Sequence, residues 1–300
     1  MDGFDESDVE RAKRLLLADG RFRLLERVAL PDRRVSFGPT SGSRIGICLD
    51  TETTGLDPVT DEIVELALRR FRFTSAGEIV ALDAPFSWLE DPGRPLDPVV
   101  ARLTGLSDAD LAGREIDDGA AIELMSSASL VVAHNSRFDR PFVEKRLPAA
   151  AGLRWSCSME EVDWAAAGYE GRALRWLLDQ AGWFYEAHRA GDDVDALIQL
   201  LRHQLSDGCT VLSHVIAGAE RGGWLVRAHG AHYDRKDVLR RRGYFWNGAS
   251  GEWMREVAVD RLDEEREWLR LEVYSPEYRP RASAPIIDRI DAGSRYRRLQ

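Results

Sequence analysis

A buried-strand pattern that ends in two carboxylates sets the tightest limit on what this chain can fold into. Ile45-Gly46-Ile47-Cys48-Leu49 reads as a short core strand, and Asp50-Thr51-Glu52-Thr53-Thr54-Gly55 follows it directly. Side chains at i and i+2 of a strand share a face, so Asp50 and Glu52 project together from the strand end. Carboxylates held that close repel and shift each other's titration unless a cation lies between them. Oxygen-only donors suit Mg²⁺ or Mn²⁺ rather than zinc. A lone D-x-E pair is equally compatible with a solvated acidic turn, so its meaning depends on partners elsewhere.

Two further acidic stations supply those partners. His134-Asn135-Ser136-Arg137-Phe138-Asp139 follows the strand-like run Ser129–Ala133, and Asp139 begins a helical pattern through Phe142, Val143 and Leu147. His188-Arg189-Ala190-Gly191-Asp192-Asp193 opens another amphipathic helix with Val194, Leu197, Ile198, Leu200 and Leu201 on its apolar face. The order D-x-E, H-N-x-x-F-D, H-x5-D resembles the DEDD superfamily of 3′–5′ exonucleases. That superfamily includes the proofreading (epsilon) subunit of bacterial DNA polymerase III, RNase T and oligoribonuclease. His188 stands five residues before Asp193, and Arg189 rather than a tyrosine stands four before it, so the match is to the histidine branch, DEDDh.

The resemblance implies an RNase H-like α/β fold with a mixed sheet and two divalent ions, Mg²⁺ or Mn²⁺, per site. Asp50 would bridge both ions, Glu52 and Asp193 would complete the coordination, and Asp139 would hold one ion largely through water. His188 would be the general base. The same resemblance sets Phe138 and the turn containing Thr53, Thr54 and Leu56 beside the terminal nucleotide, together with His134 and Asn135. Thr104, in Leu103-Thr104-Gly105-Leu106, matches a turn that contacts substrate in the family; the alternative is an ordinary helix cap at Gly105. The implied activity is release of nucleoside 5′-monophosphates from 3′ ends, with DNA favoured over RNA by the overall layout. An exoribonuclease that trims RNA or degrades oligoribonucleotides remains the main alternative. A binding protein without activity would be expected to lack one of the five polar residues, and a metal-dependent phosphatase would not carry these spacings.

Composition bounds the partners. Formal net charge is −10, yet residues 1–220 hold 24 basic against 38 acidic side chains, whereas residues 221–300 hold 17 against 13. A nucleic-acid surface is therefore expected late in the chain, if anywhere. No apolar stretch approaches the ~20 residues needed to span a bilayer, and the acidic start is unlike a signal peptide. Cys48, Cys157 and Cys209 form no paired motif, so neither disulfides nor a zinc knuckle is indicated, and a cytoplasmic setting is expected.

Residues 1–43 read as an N-terminal extension, with a helix over Val9–Ala18 and a strand over Phe22–Val28. Residues 44–205 read as the catalytic domain. Its expected strands are Ile45–Leu49, Ile63–Phe73, Ile79–Leu89, Leu130–Ala133 and Arg154–Cys157. Its expected helices are Asp97–Leu103, Asp117–Ser126, Asp139–Leu147, Ala173–Ala181 and Asp192–Gln204. Residues 206–300 read as a smaller α+β module with helices at Val211–Ala219, Asp234–Arg242 and Asp263–Arg270. A hairpin joins Tyr244–Trp246 to Glu252–Arg255, and strands fall at Trp224–Ala228 and Ile286–Ile290. Arg235, Lys236, Arg240, Arg241 and Arg242 lie among Tyr233, Tyr244, Trp246 and Trp253. Such interleaving suits single-stranded nucleic acid, or else a small core with a solvated arginine face.

Overall fold

The computed structural model describes residues 6–31, 42–187, 189–248 and 250–297. Helix α1 (Glu6–Ala18) and the two-residue strand β1 (Glu26–Arg27) precede the first sheet. That sheet contains β2 (Ser43–Thr53), β3 (Ile63–Thr74), β4 (Ile79–Leu82), β5 (Phe86–Leu89), β6 (Leu130–Ala133) and β7 (Trp155–Cys157). Its order is β4-β3-β2-β6-β7, with β5 also on β3. β2 runs antiparallel to β3 and parallel to β6, and β6 parallel to β7, which makes the mixed α/β sheet of an RNase H-like fold. The run Ile79–Leu89, expected as one strand, breaks into two pieces that both pair with β3. At the break Asp83 turns its carboxylate to Arg70, and Pro85 lacks the N–H a continuous ladder needs.

Helices α2 (Pro98–Thr104), α3 (Asp108–Leu111), α4 (Asp118–Ser126), α5 (Ser136–Arg146), α6 (Leu174–Ala181), α7 (Ala190–Arg202) and α8 (Val211–Glu220) surround this sheet, with β8 (Trp183–Phe184) after α6. The strand period of two sorts the central side chains. Ile47, Leu49, Val131 and Ala133 join the core under α4 and α5, whereas Cys48, Leu130 and Val132 join that under α6, α7 and α8. β3 is buried on both sides, so its near-continuous apolar run carries even Arg69 to full burial. Arg69 is matched there by Asp195 Oδ1 at 2.7 Å, the Asp83 carbonyl at 2.8 Å and the Pro31 carbonyl. The one-turn α3 was not legible by periodicity; a capping box between Ser107 and Asp110 holds it.

The N-terminal extension docks on this domain. β1 pairs in parallel with β8, and Val28 and Leu30 pack on the core. Of the strand expected over Phe22–Val28, only Glu26–Arg27 forms, opposite Trp183–Phe184.

By sequence the second boundary falls at residue 206, but α8 packs with the first domain. Its Val211, Leu212 and Val215 are fully buried in the core that holds Leu197 and Leu201. The second module begins after it, with β9 (Gly223–Arg227), α9 (Lys236–Arg242), β10 (Phe245–Asn247), β11 (Glu252–Ala258), α10 (Leu262–Glu272) and β12 (Ile286–Ile290). These strands form an antiparallel sheet in the order β10-β11-β9-β12. Its Val226, Tyr244 and Val257 pack against Leu239 of α9 and Leu269 of α10.

The chain then returns to the first domain. The Trp155 N–H on edge strand β7 donates to the Ala292 carbonyl at 2.8 Å, and Tyr296 enters the core beside Cys157. Arg140 of α5, fully buried, donates to the carbonyls of Arg295 at 2.5 Å and Gly293 at 2.7 Å. The tail thus ties the second module to the helix that carries Asp139.

Candidate active site

The D-x-E pair stands where β2 leaves the sheet. Pairing with β3 is regular through Glu52, opposite Glu65, and then slips at Thr53, opposite Ile63. Such a bulge bends the strand end and re-aims its side chains. Asp193 comes from the first turn of α7, which packs across β2 and β3. One carboxylate oxygen from each of Asp50, Glu52 and Asp193 lies within 4.8 Å of the other two. Asp139, in the first turn of α5, is anchored beside them: its Oδ1 accepts from the Thr51 N–H at 3.1 Å and the Thr51 hydroxyl at 2.9 Å. The D-x-E strand and the two helix starts therefore converge on one spot.

The electrostatics are those of a crowded acidic site. Removal from water, then Asp139, Asp193 and Glu52, push the Asp50 carboxyl well above the usual range. Glu52 rises to about 8, by burial first and then by Asp193, Glu65 and Asp139. Asp139 rises to about 7 through burial, although Thr51's hydrogen bonds pull the other way. Oxygen donors so close, with ionisation suppressed by their own repulsion, fit a hard divalent cation that would relieve it. Among the described residues, one other group could hold a metal: Asp207 and Cys209 on the turn before α8 with His214 of α8 itself, whose Nε2 already meets Asp207 at 2.9 Å.

The remaining sequence-chosen residues fall into three kinds. His188 lies outside the described residues. Leu56 and Phe138 present apolar surface: Leu56 is 84% exposed at the tip of the loop after Glu52, and Phe138 is half-buried against Phe142. The others are bonded into the scaffold. Thr53 donates to the Gly55 carbonyl at 2.6 Å. Thr54 Oγ1 accepts from the Glu62 N–H at 3.1 Å and from Arg94 at 2.9 Å, within a loop closed around Asp61. Gly55 is required there, because a Cβ would meet the Asp61 carboxylate at 2.4 Å.

Asn135 starts α5 with φ 83°, a conformation its short polar side chain tolerates. His134 bonds Ser158 Oγ at 2.8 Å and the Arg172 carbonyl at 2.7 Å, and burial lowers its pKa to about 4. Both ring nitrogens are thus occupied by protein. Thr104 is buried and donates to the Val100 carbonyl at 3.0 Å, and Gly105 caps α2 with φ 70°. The side chain at Thr104 follows the helix-cap alternative.

Two residues at the site were not singled out by motif. Glu65, nearly fully buried, faces Glu52 across the strands and accepts from Arg189 at 3.1 Å and Ser87 at 3.0 Å. Tyr185 donates to Asp193 Oδ1 at 2.7 Å. A single acid inside the apolar run Ile63-Val64-Glu65-Leu66 was the available signal for the first. Tyr185 stands eight residues before Asp193, outside any motif, and only folding brings it there.

Residues 47–201, just over half the chain, match the model of the exonuclease family of the RNase T type. Over 125 residues, 41% of this chain, it is 30% identical to the DNA polymerase III PolC-type of Thermotoga maritima. It spans only 9% of that polymerase's length. Among solved structures, exonuclease X in complex with 5′-overhanging duplex DNA is 24% identical, covering 58% of this chain and 99% of that one, with a TM-score of 0.42. Exonuclease I is 15% identical over 84% of this chain and 63% of its own, with a TM-score of 0.47. The family match takes in Asp50, Glu52, Asp139 and Asp193 together, and the chain belongs to the exonuclease family.

Proposed function

We propose that this enzyme hydrolyses nucleic acid from the 3′ end, with DNA favoured, and releases nucleoside 5′-monophosphates in the cytoplasm. The observation that carries the reading is the convergence of the Asp50, Glu52 and Asp193 carboxylates within 4.8 Å, beside Asp139 on Thr51. Asp50, Glu52 and Asp193 would hold two ions, Mg²⁺ or Mn²⁺, with Asp139 steadying one of them. When bound, the cations neutralise charge that develops on the scissile phosphate during in-line displacement. His188 removes the proton from the attacking water, whose oxygen bonds to phosphorus as the 3′-oxygen of the preceding nucleotide departs. The Tyr185 hydroxyl orients Asp193. Phe138 and Leu56 supply apolar surface for the terminal base and sugar. Thr53, Thr54 and Asn135 shape the turns around them, and His134 supports the start of α5 from beneath. Contact at Thr104 would fall to the backbone of its turn.

The preference for DNA is supported by the similarity to the DNA polymerase III PolC-type of Thermotoga maritima. Digestion of 5′-labelled single-stranded DNA, duplex DNA and short RNA, side by side with Mg²⁺, tests the proposal. Stepwise shortening with nucleoside 5′-monophosphate products, abolished by EDTA, is expected. Release of inorganic phosphate alone would overturn it, and shortening of RNA alone would reassign the substrate.

A further inference from the structure

The turn between α7 and α8 carries Asp207-Gly208-Cys209-Thr210, and His214 follows one turn into α8. Asp193 lies in the first turn of α7, whereas this turn follows the helix's other end at Arg202, roughly 14 Å further along the axis. The two groups of ligating side chains are therefore separate.

Local structure brings three unlike donors together. Gly208 takes φ 80°, which lets the chain reverse so that the Leu205 N–H donates to the Cys209 carbonyl at 2.9 Å. Thr210 then caps α8, accepting from the Ser213 N–H at 3.1 Å, and donates to the Gly77 carbonyl between β3 and β4 at 2.8 Å. Cys209 precedes that cap, and His214 is the fourth residue of the helix. Side chains at these two positions meet across the first helical turn, where two apolar residues ordinarily pack. Here they are a thiol and an imidazole.

Asp207 closes the third side. Its Oδ1 accepts from the Cys209 N–H at 2.9 Å, while Oδ2 meets His214 Nε2 at 2.9 Å. The Cys209 N–H holds the Asp207 carboxyl below its ordinary value, which keeps it an ionised donor. One donor atom from each of Asp207, Cys209 and His214 lies within 4.8 Å of the other two. A tetrahedral ion with bonds of about 2.0–2.3 Å needs donors roughly 3.3–3.6 Å apart, a spacing these side chains reach by small rotations.

We propose that Asp207, Cys209 and His214 form a zinc site that fastens the turn after α7 to the first turn of α8. Sulfur and nitrogen beside a single oxygen suit zinc, unlike the all-oxygen set at Asp50. Charge agrees, because a divalent ion with one thiolate and one carboxylate is neutral overall, and the positive end of α8 does not oppose it. On binding, the thiol proton goes to solvent and His214 ligates as the neutral imidazole. The fourth tetrahedral position falls to water, since Asp207 and Cys209 are exposed. Neither donor set shares a residue with the other, so the proposal stands apart from the nuclease reading.

The test uses the full, reduced chain with Mg²⁺ in large excess, and the variants Cys209→Ser and His214→Ala. Co²⁺ serves as the spectroscopic stand-in for zinc. The parent should develop a thiolate-to-cobalt charge-transfer absorption and tetrahedral visible bands at one equivalent, both abolished by one equivalent of Zn²⁺. Cys48 and Cys157 are fully buried, so a thiolate signal reports Cys209. Cys209→Ser should lose the charge-transfer absorption, and His214→Ala should bind about tenfold or more weakly. Zn²⁺ should raise the parent's melting temperature by a few degrees and leave that of Cys209→Ser unmoved. A parent without the thiolate absorption, or an equal Zn²⁺ shift in parent and both variants, would overturn the site and leave an exposed Asp207–His214 ion pair. Absorption that persists in Cys209→Ser would overturn it as well.

Discussion

Both sheets of this protein bury acidic side chains, and they treat them in opposite ways. In the second module the buried acid Glu265 has its cations, accepting from Arg255 at 2.6 Å, Arg242 at 3.1 Å and the Tyr244 hydroxyl at 2.9 Å, and the less buried Glu252 and exposed Asp288 share Arg227. At the end of β2, Asp50, Glu52, Asp139 and Asp193 crowd together, and Arg189, whose charge acts on Glu52, is spent on Glu65. Paired carboxylates stabilise a small domain. Crowded ones repel, cost stability and mark a place where a ligand is to complete the charge.

The contrast breaks most visibly in activity. Asp50→Ala or Asp193→Ala should lower turnover by at least about 10²-fold, the scale for losing one group that stabilises transition-state charge. In EDTA, where the parent bears the full repulsion, the same variants should melt at the parent's temperature or above it. A folded Asp50→Ala enzyme with near-normal turnover would dissolve the distinction.

The reverse substitution comes next. Glu265→Ala strands Arg242 and Arg255 around a buried hole and should destabilise the second module by about 3 kcal/mol. Denaturation followed by tryptophan fluorescence checks this, and trinucleotide turnover below the transition should persist.

A third effect concerns pH. Glu52 rises from its ordinary 4.5 to about 8 and Asp139 from 3.8 to about 7 on folding. The folded chain thus binds more protons than the unfolded chain between those values, and metal-free stability falls as pH rises through them. Cations bind the ionised form, so Mg²⁺ should raise the melting temperature by a few degrees more at about pH 8 than at about pH 5. A Mg²⁺ effect independent of pH would contradict the crowded-acid account.

The smallest effect is expected on α9. Arg240→Gln with Arg241→Gln should change long-strand affinity by less than about threefold, because these are exposed groups, one already paired with Asp237. A larger loss would make the helix a nucleic-acid surface.

Much of this was legible in the chain itself. The run ending at Leu49, the acids at 50 and 52, and the helical patterns after Asp139 and Asp193 follow from local periodicity, and local periodicity survives folding. The break at Asp83–Pro85 was less legible, since apolar residues resume at once on the same edge. Glu65 could be suspected from its isolation among apolar neighbours, but its place opposite Glu52 depends on the β2–β3 register. The hydroxyl and imidazole contacts of Thr104 and His134 were not legible, because a side chain's partner is chosen by packing. Nor was the assignment of α8, whose apolar face suits either neighbour.

By itself the sequence determined the acidic constellation, the alternation of strands and helices, and the change in charge near residue 220, all properties of neighbours along the chain. Tertiary structure alone decided which arginines are spent on which carboxylates, and it returned residues 291–297 to α5. It also opened a groove between Leu56 and the second sheet. These depend on contacts between segments more than a hundred residues apart, such as Arg140 with Gly293 and Arg295. No local pattern encodes them, because their energy is gained only once both partners are held in place.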